Sequence, residues 1–180
     1  MISLACFHPA GFVEVWWTAE GGNITFVLAS SEVGTGWMGV GLMASAATHA
    51  GDFLVCYVRA DGSFAALDMT AATFRPSADA QSNIVAAAAA REGNVTVCTL
   101  TRALVTGDAA DYAITAGVPT SVIYALGTLD GTERMNKHNS EQIGRQAHTL
   151  VPAPASLLPT RPADIQGKKP NMIQSLLACI

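Results

Sequence analysis

IVAAAAAREGNVTVCTLTRAL, residues 84–104, decides the fold class. Alanine is the strongest helix former, so the run 86–90 taken alone favours a helix. The second half, NVTVCTLTRAL, is rich in β-branched residues and reads as a strand. Gly93-Asn94 between the halves is a tight hairpin signal. With Val85 on one side and that turn on the other, the alanine run is assigned to a strand over 84–92, paired with the strand over 94–104.

The chain on either side follows the same rhythm. FVEVWWTA (12–19), the turn EGGN and ITFVLASS (24–31) form one hairpin; WMGVGLM (37–43) and DFLVCYVR (52–59) flank a loop of small residues. Asp61-Gly62 marks a tight turn into SFAALDMTA (63–71), and SVIYALGTL (121–129) and AHTLVPA (147–153) close the set. Short strands at this spacing predict an all-β antiparallel sandwich with about nine to eleven strands. Residues 1–153 form the sandwich. Residues 154–180, with four prolines, form a C-terminal tail or arm whose last segment, NMIQSLLACI, is apolar enough to dock.

Composition bounds the function. Of the 180 residues 50% are hydrophobic and 13% charged, which fits one domain with a substantial core. The net charge of −4 supplies no basic stripe for phosphates, so nucleic acid is not an expected partner. No apolar run approaches the roughly 18 residues of a membrane span. No basic-then-apolar leader opens the chain, which reads as a mature domain. Cys6, Cys56, Cys98 and Cys179 contain no C-x-x-C pair, which disfavours a zinc ribbon. Cys56 and Cys98 lie inside strands, where two buried thiols are expected. Cys6 and Cys179 lie near the termini, and a bridge between them would staple the ends in an oxidising compartment. Asn23-Ile24-Thr25 and Asn94-Val95-Thr96 are sequons for a secretory route.

No hydrolase, metalloprotease, Walker or dinucleotide motif occurs, so an enzyme reading has no support. TGDAAD (106–111) offers Asp108 and Asp111 as calcium ligands or as turn residues, and the turn is favoured. Of four histidines, His8 stands before Pro9 without a local partner and His148 reads as a half-exposed strand residue. His49, in SAATHAGD, and His138, in GTERMNKHNSEQIG, sit in loops, where a rigid sandwich usually carries its sites.

Several elements in order carry a family resemblance. These are GWMGVGLMASAATHAGDFLVCYV (36–58), Asp61-Gly62, Asp68, TRALVTGDAADYAI (101–114), IYALG (123–127) and Lys137-His138. Together, over roughly residues 10–153, they resemble the DOMON domain, a family similar to the haem-binding cytochrome domain of cellobiose dehydrogenase and to plant ascorbate-reducible b-type cytochromes. The resemblance implies an immunoglobulin-like β-sandwich holding one haem b between two axial ligands. One comes from the loop after the G-W-x-x-x-G strand and is usually methionine; the other is a histidine after the Y-A-x-G strand. The second position is His138.

The first ligand position falls on His49, a departure from the methionine pattern that implies bis-histidine iron and a lower potential. Met43 is the alternative, badly spaced at a strand end. An apolar wall would draw on Trp37, Met43, Phe53 and Tyr124. Asn139 and Ser140 are candidates to orient His138, and Arg134 and Lys137 are either propionate partners or a solvated loop. The expected function is then single-electron transfer, outside the cytoplasm, with a flavin dehydrogenase, reductase or membrane cytochrome as partner. The alternative is a haem-free module that binds carbohydrate or protein through Trp16-Trp17.

Overall fold

The computed structural model describes residues 5–7, 13–45, 50–73, 75–132, 134–138 and 142–153. Its eleven strands are β1 Ala5–Phe7, β2 Glu14–Glu20, β3 Asn23–Ser30, β4 Gly36–Met43, β5 Gly51–Val58, β6 Phe64–Ala71, β7 Ser77–Ala78, β8 Ile84–Glu92, β9 Val95–Ala103, β10 Thr120–Gly127 and β11 Ile143–His148. They form two antiparallel sheets, ordered β1-β2-β3-β9-β8 and β11-β10-β4-β5-β6-β7. Among the described residues there is no helix, and so none long and apolar enough to cross a membrane.

The alanine run is a strand because its partner holds it there. β8 pairs with β9 from Ala86↔Thr101 to Glu92↔Val95, and ladder bonds along that length outweigh alanine's local preference. Gly93, at φ +63°, supplies the left-handed turn of the two-residue hairpin. A register shift between Ile84 and Ala86 leaves Val85 62% exposed on this edge strand.

Alternation then builds the core. Val15 and Trp17 of β2, Ile24, Phe26 and Leu28 of β3, and Cys98 and Leu100 of β9 face Met38, Val40 and Leu42 of β4, Leu54 and Cys56 of β5, and Val122, Tyr124 and Leu126 of β10. Cys56 and Cys98 are not separate thiols. Their inward register on facing strands brings their Cα atoms to 6.4 Å, and they form a disulfide between the two sheets. His148, the last residue of β11, stacks edge-on against Trp17 at 4.9 Å and closes one side of the core. The final strand ends there rather than running over 147–153. The β1 and β7 strands were not visible in the sequence. Cys179 and the tail from 154 lie outside the described residues, so the proposed Cys6–Cys179 bridge falls there too.

Candidate functional site

The odd residues of β4, Trp37, Gly39 and Gly41, point away from the core, onto the outer face of the six-stranded sheet. Above them lies a cavity of about 680 Å³, inside the range of cofactor and small-molecule sites. Its floor and walls are Gly39 and Gly41 of β4, Phe53 and Val55 of β5, Met69 of β6, and Ile123 and Ala125 of β10. The glycines make the floor. A Cβ on Gly41 would lie 2.4 Å from the Phe53 ring and 2.5 Å from Ile123, and one on Gly39 would lie 3.0 Å from Val55. Without them the side chains of the neighbouring strands could not lie flat across β4.

The rim is polar and positively charged. His138 lines it, partly exposed, together with Lys137, Arg75 and Arg145. The segment before His138 is tightly braced. The Asp130 carboxylate accepts from the Thr132 and Arg134 amides at 2.8 and 3.0 Å, which holds this carboxyl below the usual range. Asn136 donates its backbone amide to the Thr128 carbonyl and its side-chain amide to the Thr128 hydroxyl. Leu129 and Met135 bridge across the turn. The Trp37 indole N–H then donates to the Asn136 carbonyl at 2.9 Å. Gly127, which faces Trp37 across the ladder, makes that possible: a Cβ there would lie 2.6 Å from the indole nitrogen. The chain two residues before His138 is therefore pinned to the cavity floor.

The sequence-derived candidates separate on this geometry. His138, Trp37, Phe53 and Lys137 belong to the cavity. Tyr124 does not: its register puts it in the core, 5% exposed, where burial raises the pKa of its phenol. Met43 shares the outward register of Gly41 but is 1% exposed and packs against Gly51, outside the lining. Arg134 is an exposed turn residue away from the lining. His49, Asn139 and Ser140 lie outside the described residues, as does His8. The strand ends flanking His49 are placed, however. Met43 and Gly51 stand at the end of the sheet opposite Gly127, where the His138 loop begins.

Arg75 and Arg145 were missed. Arg145 directly follows the His138 segment and Arg75 lies between β6 and β7, and neither carries a local signal of its place on the rim. Met69 and Met135, thioethers lining the same cavity, were equally invisible. Trp17 is buried in the core at 3% exposure while Trp16 lies on the other side of β2, so the two rings form no common platform.

The residues present fit a flat, apolar, doubly carboxylated group such as haem. The floor is smooth, the walls are aliphatic, aromatic and thioether, an imidazole reaches the space, and three cations ring it. The fold and the cavity thus define a class, an all-β sandwich with a preformed apolar site on the outer face of its larger sheet. The family model for the DOMON domain matches residues 11–127, and the chain belongs to that family. The match ends at Gly127, where the braced loop leading to His138 starts. No curated protein matches the chain.

Proposed function

We propose that this DOMON domain binds one haem b in the outer-face cavity and passes single electrons. The observation that carries the reading is His138 on the rim of an apolar cavity with a glycine floor, ringed by Arg75, Lys137 and Arg145. His138 holds the iron from one side. His49, in the segment between Met43 and Gly51, would be the second ligand. Lys137, Arg75 and Arg145, which line the cavity, would pair with the two propionates. Trp37 positions His138 through the Asn136 carbonyl. The bound haem supplies an Fe(III)/Fe(II) couple, and two imidazoles in place of imidazole and thioether lower its potential. With both histidines as ligands, the group would supply electron transfer rather than an open site for substrate chemistry. Its partner is a flavin dehydrogenase, a reductase or a membrane cytochrome. The disulfide Cys56–Cys98 supports an oxidising setting, extracellular or periplasmic.

The test is a visible spectrum of the full chain titrated with haem. A Soret band with sharp α and β bands on reduction is expected. Folded protein that stays colourless at saturating haem overturns the reading. His138→Ala should abolish the low-spin spectrum, and His49→Ala should convert it to another ligation state. An unchanged spectrum for His49→Ala moves the second ligand elsewhere, with the cavity-lining thioethers Met69 and Met135 as alternatives.

A further inference from the structure

The core ends abruptly in charge. Past Leu54 and Leu100 the next inward positions are Asp52 on β5, Asp68 on β6 and Arg102 on β9, with Asp111 brought in by the loop after β9. All four side chains are nine-tenths or more buried.

Arg102 cannot satisfy this cluster. Its Nη1 donates to Asp52, its Nη2 donates to the Tyr112 carbonyl at 2.9 Å, and its Nε donates to the Ala103 carbonyl at 3.0 Å. Asp111 lies 3.9 Å away, an ion pair beyond hydrogen-bond reach. Asp52 Oδ2 accepts from Arg102 and from the Tyr112 amide, and Asp68 Oδ2 from the Asn83 amide. That leaves Asp52 Oδ1, Asp68 Oδ1 and both oxygens of Asp111 buried with no hydrogen-bond partner among the described residues. Leaving such oxygens bare is costly, and three carboxylates against one guanidinium leave two negative charges inside the protein. Burial, and then Asp111, Asp79 and Asp108, push the Asp68 carboxyl above its ordinary value against the Asn83 bond that lowers it.

We propose that Asp52, Asp68 and Asp111 bind one calcium ion at this end of the sandwich, on the inner side of β5 and β6, whose next residues Phe53 and Met69 line the cavity on the outer side. A divalent ion cancels the excess charge and takes up the bare oxygens together. The donors are all oxygen, with no nitrogen or sulfur, which selects a hard cation. One oxygen from each residue lies within 4.8 Å of the others. That closeness is compatible with oxygens bonded to one calcium ion at about 2.3–2.6 Å, and calcium accepts irregular oxygen sets, whereas magnesium demands near-ideal octahedral geometry. Asp108 keeps the turn expected of TGDAAD by accepting from the Ala110 amide at 2.9 Å. The same turn delivers Asp111 to the site, so that segment serves both readings the sequence offered.

Calorimetry and thermal melts of the chelator-treated full chain test this, without reference to haem. Calcium should bind with one-to-one stoichiometry and raise Tm, with Kd no weaker than the roughly 10⁻⁴–10⁻³ M of extracellular calcium modules. Asp111→Asn and Asp68→Asn should each weaken calcium at least tenfold. In chelator both variants should melt no lower than the parent, since each removes an uncompensated charge; this separates ligation from a merely structural role. No heat and no Tm shift up to about 10 mM calcium, an order above the weakest such sites, overturns the proposal. An equal response to magnesium overturns the calcium assignment. A chelated protein that gains its full stability on mild acidification, with no response to calcium, shows that a proton neutralises the cluster instead.

Discussion

The two faces of β4 are built from alternate residues of one eight-residue stretch, GWMGVGLM, yet they do opposite things. The inward residues Met38, Val40 and Leu42 are bulky and almost fully buried against the second sheet. The outward residues Gly39 and Gly41 carry no side chain, and the space above them becomes a cavity floored by backbone and walled by neighbouring strands. The inner face is a stability device, closed by a disulfide. The outer face gives up side-chain contacts on its own strand, which leaves the space where we propose that haem binds. Bulk on one side is what allows the other side to be empty, because the sheet is held in place from within.

Perturbations of the two faces should therefore separate stability from ligand binding. The largest effect is expected at the staple. Replacing Cys56 and Cys98 together by alanine opens a bridge across a sequence separation of 42 residues, at a cost of about 4 kcal/mol in urea denaturation. On the proposed function, the protein that remains folded should bind haem as tightly as the parent. Reduced haem affinity in that folded fraction would break the division between the faces.

Neighbours on β4 give a sharper contrast. Leu42→Ala leaves an inward void and should cost about 2–5 kcal/mol with haem affinity intact. Gly41→Ala forces Phe53 and Ile123 to shift, costs about 1–3 kcal/mol, and should lower haem affinity. Equal affinity losses from the two variants would show that the floor is not specific to the glycines.

A smaller effect is expected of Trp37→Phe, which removes the bond to the Asn136 carbonyl. About 1 kcal/mol of stability is lost, and amide exchange through 134–138 should quicken ahead of the core strands. The smallest effect is pH dependence at the inner edge. Burial lowers the pKa of His148 from its ordinary 6.5. As pH falls through 6.5 the unfolded chain takes up the proton first, so the contribution of His148 is full above 6.5 and fades toward its lower folded value. His148→Phe, which keeps a ring against Trp17, should flatten the stability profile in that window; an unaltered slope assigns the dependence to other groups.

Much of this was legible in the residues. β2 to β6 and β8 to β10 fall within a residue or two of their alternating or apolar runs, and Gly93-Asn94 and Asp61-Gly62 turn where tight-turn residues predict. Turn chemistry and strand periodicity are local, so a sequence carries them directly. His138 was singled out by its loop and then by the family resemblance, since a lone loop histidine has no strong local signature, and the structure places it at the cavity. Tyr124 and Met43 were misplaced for a related reason. An aromatic or thioether in a strand is equally good as core or as cavity wall, and only its register against the neighbouring strand decides.

By itself, the sequence determined that this chain alternates, turns and folds as strands, while five consecutive alanines are held as a strand by their pairing with β9. The tertiary structure decided what each face meets. Period two says which residues share a side of a strand, but it does not say which side is inward or what lies across the gap. Cys56 therefore found Cys98, Arg75 and Arg145 joined His138, and Asp52, Asp68 and Asp111 converged beside a single arginine. Each of these groupings depends on strand order and sheet packing, contacts between residues too far apart in the chain for any local pattern to record.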